Sequence, residues 1–276
     1  MKSAGAIGVF DSGVGGLSVL HHIRQTLPAE HLLYVADSGH VPYGDKSPAY
    51  IEQRSLTLAR FLIGQGADAI VIACNTATAA AVASLRNQFS IPIIGMEPAV
   101  KPAVAATRSG VVGVLATIGT LESARFAALL ERYGEEVEIV TQGCPGLVEQ
   151  VEQGELGSAR TRELVERYTT PLLARGADTL ILGCTHYPFL APLIREVVGN
   201  DIVLVDTGAA VARQLQRRMR SELPTRARQL NIVQEKSGGD IRAQFFTSGE
   251  PVQAARIMSV LWGESVAVDL LPVQFL

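Results

Sequence analysis

The stretch Gly66-Ala67-Asp68-Ala69-Ile70-Val71-Ile72-Ala73-Cys74-Asn75-Thr76 recurs as Gly176-Ala177-Asp178-Thr179-Leu180-Ile181-Leu182-Gly183-Cys184-Thr185-His186, displaced by 110 positions. Each copy is a short apolar run that opens after a glycine and closes on polar residues, the pattern of a buried strand. The repeat reaches further, because Gly8-Val9-Phe10 is echoed by Gly113-Val114-Leu115 and the run 92–96 by the run 202–206. Strands are expected over 6–10, 32–36, 69–73, 92–96, 111–115, 137–141, 179–183 and 202–206, with helical patterns between them. This alternation predicts parallel βαβ units, whose functional residues gather at the carboxyl ends of the strands. The expected fold is therefore α/β: two pseudo-symmetric lobes, each a mostly parallel sheet flanked by helices, with the active site in the cleft between them. Residues 1–97 plus 208–276 are assigned to the first lobe and 98–207 to the second. The tail looks too poor in strands for a third domain, so it is expected to fold back onto the first lobe through a helix near 208–219.

Bulk composition excludes several classes. With 276 residues, 47% hydrophobic and 5% aromatic, the chain suits buried parallel sheets better than a disordered or fibrous protein. A formal net charge of −3 provides no cationic footprint for nucleic acid. The arginines at 213, 217, 218, 220, 226 and 228 read as a solvated helix face and its tail. The start, Met1-Lys2-Ser3-Ala4-Gly5-Ala6, lacks the features of a signal peptide, and no apolar run reaches the length of a membrane span. Three scattered cysteines, at 74, 144 and 184, suit neither a disulfide framework nor zinc spacing. A cytoplasmic protein with free thiols, no nucleic-acid partner and no membrane partner is expected.

Cys74 and Cys184 each follow an apolar strand and precede an expected helix, where N-terminal amides and the helix dipole favour an anion. Free cysteine is more often a small buried hydrophobe. Two thiols at matched strand ends shift the balance towards function, whereas Cys144 has no matching thiol and reads as packing. Thiols on opposite sides of one cleft suit proton transfer to and from two faces of a carbon, and racemisation is the foremost reaction of that kind. A pyridoxal enzyme would need a Schiff-base lysine, and Lys2, Lys46, Lys101 and Lys236 show no strand-end placement like that of the cysteines. No metal site is expected from isolated cysteines. Asp11-Ser12-Gly13-Val14-Gly15-Gly16, after the first strand, reads either as a ligand-binding turn or as a simple capped one. A dinucleotide loop, helped by Asp37, is weakened by Ser18 in place of the last glycine. Pro42-Tyr43-Gly44, Thr117, Thr120 and His186 are further candidates by position, each with an ordinary turn, cap or structural role as the alternative.

Taken together, residues 8–19, Pro42-Tyr43-Gly44, Cys74-Asn75-Thr76 and Leu182-Gly183-Cys184-Thr185-His186-Tyr187-Pro188 closely resemble the glutamate racemase family. The likeness continues through Asp206-Thr207-Gly208 into Phe246-Thr247-Ser248-Gly249. It implies interconversion of L- and D-glutamate without a cofactor, supplying D-glutamate for peptidoglycan synthesis. By the resemblance Cys74 takes the proton from D-glutamate and Cys184 from L-glutamate. Asp11 and His186 match positions that assist the thiols, and Glu152 in Val151-Glu152-Gln153-Gly154 is similar to a further acidic helper. The implied substrate contacts are Ser12, Pro42, Tyr43, Gly44, Asn75, Thr76, Thr117, Thr185 and His186, with Asp11 also meeting the ammonium. A homodimer is implied too. At Ser38-Gly39-His40 the chain departs from the family pattern, in which a threonine, a small residue and an arginine are more usual. A racemase for aspartate or another acidic amino acid and a non-catalytic amino-acid-binding protein are the alternatives.

Overall fold

Each of the eight apolar runs expected to be a strand overlaps one. The computed structural model describes residues 5–134, 137–223 and 243–276. In chain order the strands are β1 (Ala6–Asp11), β2 (His31–Ala36), β3 (Ala67–Ile72), β4 (Ile93–Ile94), β5 (Val111–Ala116), β6 (Glu138–Gly143), β7 (Thr179–Leu182), β8 (Val203–Val205), β9 (Ala243–Thr247) and β10 (Val268–Leu270). They form two sheets, ordered β10-β9-β2-β1-β3-β4 and β6-β5-β7-β8, and every neighbouring pair is parallel. The orders β2-β1-β3-β4 and β6-β5-β7-β8 are one arrangement used twice, so the sequence repeat is a repeat of sheet topology.

Equivalent side chains fill equivalent places. A Cβ at Gly8 on β1 would stand 2.7 Å from Ile70 Cδ1 and 3.0 Å from Leu62 Cβ; one at Gly113 on β5 would stand 2.6 Å from Leu180 Cδ2 and 2.9 Å from Leu172 Cδ1. In both lobes a bare central strand lets the helix before the cysteine strand, Pro48–Gly64 or Ala159–Ala174, pack close against the sheet. Serines 47 and 158 cap those helices by accepting from the amides of Tyr50 and Thr161.

The residues after Asp206 hold more strand than expected. β9 pairs with β2 and β10 with β9, so they lengthen the first sheet at its β2 edge. Neither run announces itself in the sequence: β9 mixes Gln244 with Phe245 and Phe246, and β10 is three residues long with an acid at its centre. Pairing with an existing edge supplies what intrinsic propensity lacks. The helix expected near 208–219 spans Gly208–Glu222 and buries Val211, Ala212, Leu215 and Met219, while Arg213, Arg217 and Arg220 face solvent. Arg226, Arg228, Lys2 and Lys236 lie outside the described residues. One continuous apolar cluster joins Ile7, Val9 and Leu17 to Leu147, Leu164 and Leu182, so the faces that the two sheets turn towards each other are part of the core. Among the described residues no helix is long and apolar enough to cross a membrane.

Candidate active site

Both cysteines emerge beyond the carboxyl ends of their strands, but the chain leaves them differently. Cys74 is the N-cap of the helix Asn75–Gln88, and its sulfur accepts from the Ala77 amide at 3.4 Å. The matching expectation for Cys184 does not hold. After Cys184 the chain makes a turn and a 3-10 segment, Tyr187–Leu190, before the helix Ala191–Val198 begins. Pro188 and Pro192 lack the amide hydrogens needed to build a helix from this point, so no helix N-terminus faces Cys184. His186 stands in its place, with Nδ1 3.6 Å from the Cys184 sulfur.

Each thiol heads a short chain that ends on a carboxylate. On one side the Cys74 thiol approaches Ser12 Oγ at 3.8 Å, and Ser12 donates to Asp11 Oδ1 through its amide at 2.6 Å and its hydroxyl at 3.2 Å. On the other, His186 bridges Cys184 to Glu152, its Nε2 lying 2.6 Å from Glu152 Oε1. The two chains differ in charge. Burial and the neighbouring Asp11 push the Cys74 thiol well above its ordinary range, outweighing the Ala77 amide, so Cys74 rests protonated. Burial also raises Asp11, against the pull of His186. Burial alone would lower His186, yet its hydrogen bonds to Cys184 and Glu152 and their charges hold it well above the usual histidine range. His186 therefore sets a positively charged ring 3.6 Å from the Cys184 sulfur. Burial pushes Cys144 up to about 12, and its thiol donates to Gln142 O at 3.3 Å, as befits a packed thiol.

Ser12, Pro42, Tyr43, Gly44, Cys74, Asn75, Thr76, Thr117, Cys184, Thr185 and His186 line one narrow cavity between the lobes, together with Thr120, Val148 and Gly183. Its free space is about 10 Å³, roughly one water. Asp11 and Glu152 stand behind this wall. Asp11 is fully buried and reaches the cavity through Ser12, Cys74 and Thr185, whose Oγ1 donates to Asp11 Oδ2 at 3.0 Å. Glu152 lines a separate, more open pocket of about 270 Å³, which shares Pro42 and Val148 with the narrow one. Val148 carries no polar signal and Gly183 no side chain, so residue chemistry could not have nominated either. Thr76, Thr117 and Thr120 join their hydroxyls at 2.9 to 3.1 Å across the lobe boundary. Asn75 is buried, and neither atom of its side-chain amide has a hydrogen-bond partner. Among the described residues no group of three or more His, Cys, Asp and Glu side chains is placed to hold a metal ion.

The glycine-rich turn after β1 fits tightly against the second lobe. A Cβ on Gly13 would fall 1.9 Å from Glu152 Oε1, and one on Gly15 2.3 Å from His186 Nδ1. Between them, the Val14 amide donates to Glu152 Oε1 at 2.7 Å. These glycines thus make room for a histidine and a carboxylate of the other lobe.

The Pro42-Tyr43-Gly44 wall is held from behind. Tyr43 donates to Asp37 Oδ2 at 2.5 Å, and Arg54 reaches the same carboxylate with Nε at 3.0 Å and Nη2 at 2.7 Å. His40 contacts Tyr50 OH at 2.5 Å, and the Gly39 amide donates to Ser248 Oγ at 3.0 Å. The unusual Ser38-Gly39-His40 segment is therefore anchored by its own following helix and by the residues after β9.

A family model described as Asp/Glu/Hydantoin racemase matches residues 7–215. The chain belongs to that family. Among full-length relatives, the glutamate racemase of Stutzerimonas stutzeri is 57% identical over 270 residues, 98% of each chain, and that of Ectopseudomonas mendocina 60% identical over 270 residues, 98% of this chain and 99% of the other. Solved structures agree in shape. An Escherichia coli glutamate racemase in complex with L-glutamate and the activator UDP-MurNAc-ala superposes with a TM-score of 0.82 at 31% identity, covering 97% of this chain and 98% of that one. Glutamate racemase isoform RacE1 of Bacillus anthracis gives 0.81 at 32%, covering 99% of both chains. Family membership thus places a racemase framework around the two thiols.

Proposed function

We propose that this protein interconverts L- and D-glutamate by two-thiol proton transfer, without a cofactor, and so supplies D-glutamate for peptidoglycan synthesis. The observation that carries this reading is the convergence of Cys74 and Cys184, from equivalent strand ends of the two lobes, on one narrow cavity lined mainly by residues with hydroxyl, thiol, amide or imidazole groups. With L-glutamate, a Cys184 thiolate removes the α-proton and the Cys74 thiol delivers its own proton to the opposite face; the D-isomer runs the sequence backwards. The imidazolium at His186 and the protonated state of Cys74 support that starting arrangement. Asn75, Thr76, Thr117 and Thr185 offer amide and hydroxyl groups to the substrate carboxylates, and Asp11 with Ser12 forms the polar support behind Cys74. The full-length likeness to glutamate racemases favours glutamate over aspartate. The same likeness supports a homodimer acting in the cytoplasm.

Exchange of the α-proton in heavy water tests the reaction, with both enantiomers as substrates. Wild-type protein should incorporate deuterium from either one, and Cys74→Ser or Cys184→Ser should lower racemisation by about 10²- to 10⁴-fold. Folded protein that exchanges neither enantiomer would overturn the proposal. A homodimer predicts twice the chain mass in light scattering.

A further inference from the structure

Ser18, on the first turn of the helix Leu17–Thr26, crosses the lobe boundary: its Oγ lies 2.8 Å from Gly15 O in its own lobe and 2.8 Å from Thr185 O in the other. Thr185 is the residue between Cys184 and His186. Its side chain is already held by Asp11 of the first lobe at 3.0 Å. The single Ser18 hydroxyl hydrogen is shared between the Gly15 and Thr185 carbonyls, so Thr185 meets the opposite lobe at its carbonyl as well as at its hydroxyl. This matters because Cys184, unlike Cys74, does not cap a helix, so its own lobe holds the backbone there only through the end of β7 and a single turn, in which the Tyr187 amide donates to Cys184 O at 3.1 Å. Ala substitution is compatible with this helical position, since alanine favours helices and the hydroxyl is not needed to cap one. We propose that Ser18 is a positioning residue for Cys184, holding the Cys184–His186 segment from across the cleft so that the thiol meets the α-proton of L-glutamate. This inference rests on the two-thiol reading.

Primary isotope effects test it. Losing this hydrogen bond raises the barrier for the step at Cys184, so Ser18→Ala should lower kcat/KM by about tenfold. Because the two enantiomers are equal in free energy, that loss must be the same in both directions, and its location shows elsewhere. With L-[2-²H]glutamate, proton removal by Cys184 becomes more rate-limiting and the isotope effect rises; with D-[2-²H]glutamate, removal by Cys74 becomes less rate-limiting and the effect falls towards unity. Ser18→Thr keeps the hydroxyl and should return both effects towards wild type. Isotope effects are ratios, independent of how much of a variant is folded, so a merely structural defect leaves them unchanged. Isotope effects in Ser18→Ala equal to those of wild type for both enantiomers, or a change of the same sign for both, would overturn the inference. Wild-type protein that fails to racemise would instead defeat the two-thiol reading, before any Ser18 variant is made.

Discussion

Single residues divide into those that hold the fold and those that serve the cavity, and Asn75 is of the second kind. Its side-chain amide is buried beside Cys74 with no hydrogen-bond partner at either atom, a loss to folding that a bound carboxylate would offset. Asn75→Ala should therefore leave folding stability unchanged or higher, while raising the KM for glutamate by about tenfold or more. Denaturant unfolding beside steady-state kinetics checks both halves. Gly15 makes the opposite case. An added methyl would stand 2.3 Å from His186 Nδ1, so Gly15→Ala should shift the imidazole and cut turnover by at least about tenfold. Gly64→Ala, where nothing beyond the neighbouring residues and the helix's own backbone lies within 4 Å of the added carbon, is the matching control and should leave turnover intact.

Among the elements, the turns before the cysteine strands show what the repeated Gly-Ala-Asp is for. Asp178 accepts from Thr107 Oγ1 at 2.6 Å and from the amides of Arg108 and Ser109 at 2.7 and 2.8 Å, tying the turn before β5 to the turn before β7. In the first lobe the Asp68 carboxylate, on β3, lies close to Gly5, the residue before β1. Burial of Asp178 favours its neutral form, but the hydrogen bonds from Thr107, Arg108 and Ser109 outweigh it and bring the carboxyl down to about 2. A folded-state value below that of the unfolded chain means that the ionised group stabilises the fold above about pH 4, and that this contribution is lost as the pH falls from about 4 towards 2. Asp178→Asn should cost about 1–2 kcal/mol at neutral pH. Unfolding curves of the variant and wild type should draw together as the pH is lowered to 3 and below. The Asp37 carboxylate, fully buried, depends on Arg54. Arg54→Ala leaves that charge unpaired under the Tyr43 wall and should destabilise the protein by about 3–5 kcal/mol, measured by denaturant unfolding.

At the scale of the whole molecule, the cavity between the lobes has room for about one water, so glutamate enters only when its walls part. The walls that meet across the boundary are known: a Cβ on Gly119 would lie 3.0 Å from Gly44 O, and the three threonine hydroxyls meet beside them. Saturating glutamate should slow hydrogen exchange around residues 42–46 and 117–121, with little change in the outer sheet edge at β10. Equal exchange with and without ligand would argue against closure. Much of this arrangement is legible in the chain. Strand positions, the twofold use of one topology and the candidate thiols follow from hydrophobic periodicity and a repeat of 110 residues, because burial of a strand and its placement beside a helix are decided locally. β9 and β10 escape such a reading because an edge already in place recruits them. The environments of the two cysteines escape it as well. Matching strand ends suggest matching thiols, yet one caps a helix and lies near a buried acid, while the other borrows an imidazole, and that imidazole leans on a carboxylate 34 positions away in sequence. The chain by itself determined the eight repeated strands and the pair of thiols; only the tertiary structure decided the two added edge strands and the charge around each thiol, because edge pairing, burial and Coulomb interactions depend on which groups meet in space and not on their order along the backbone.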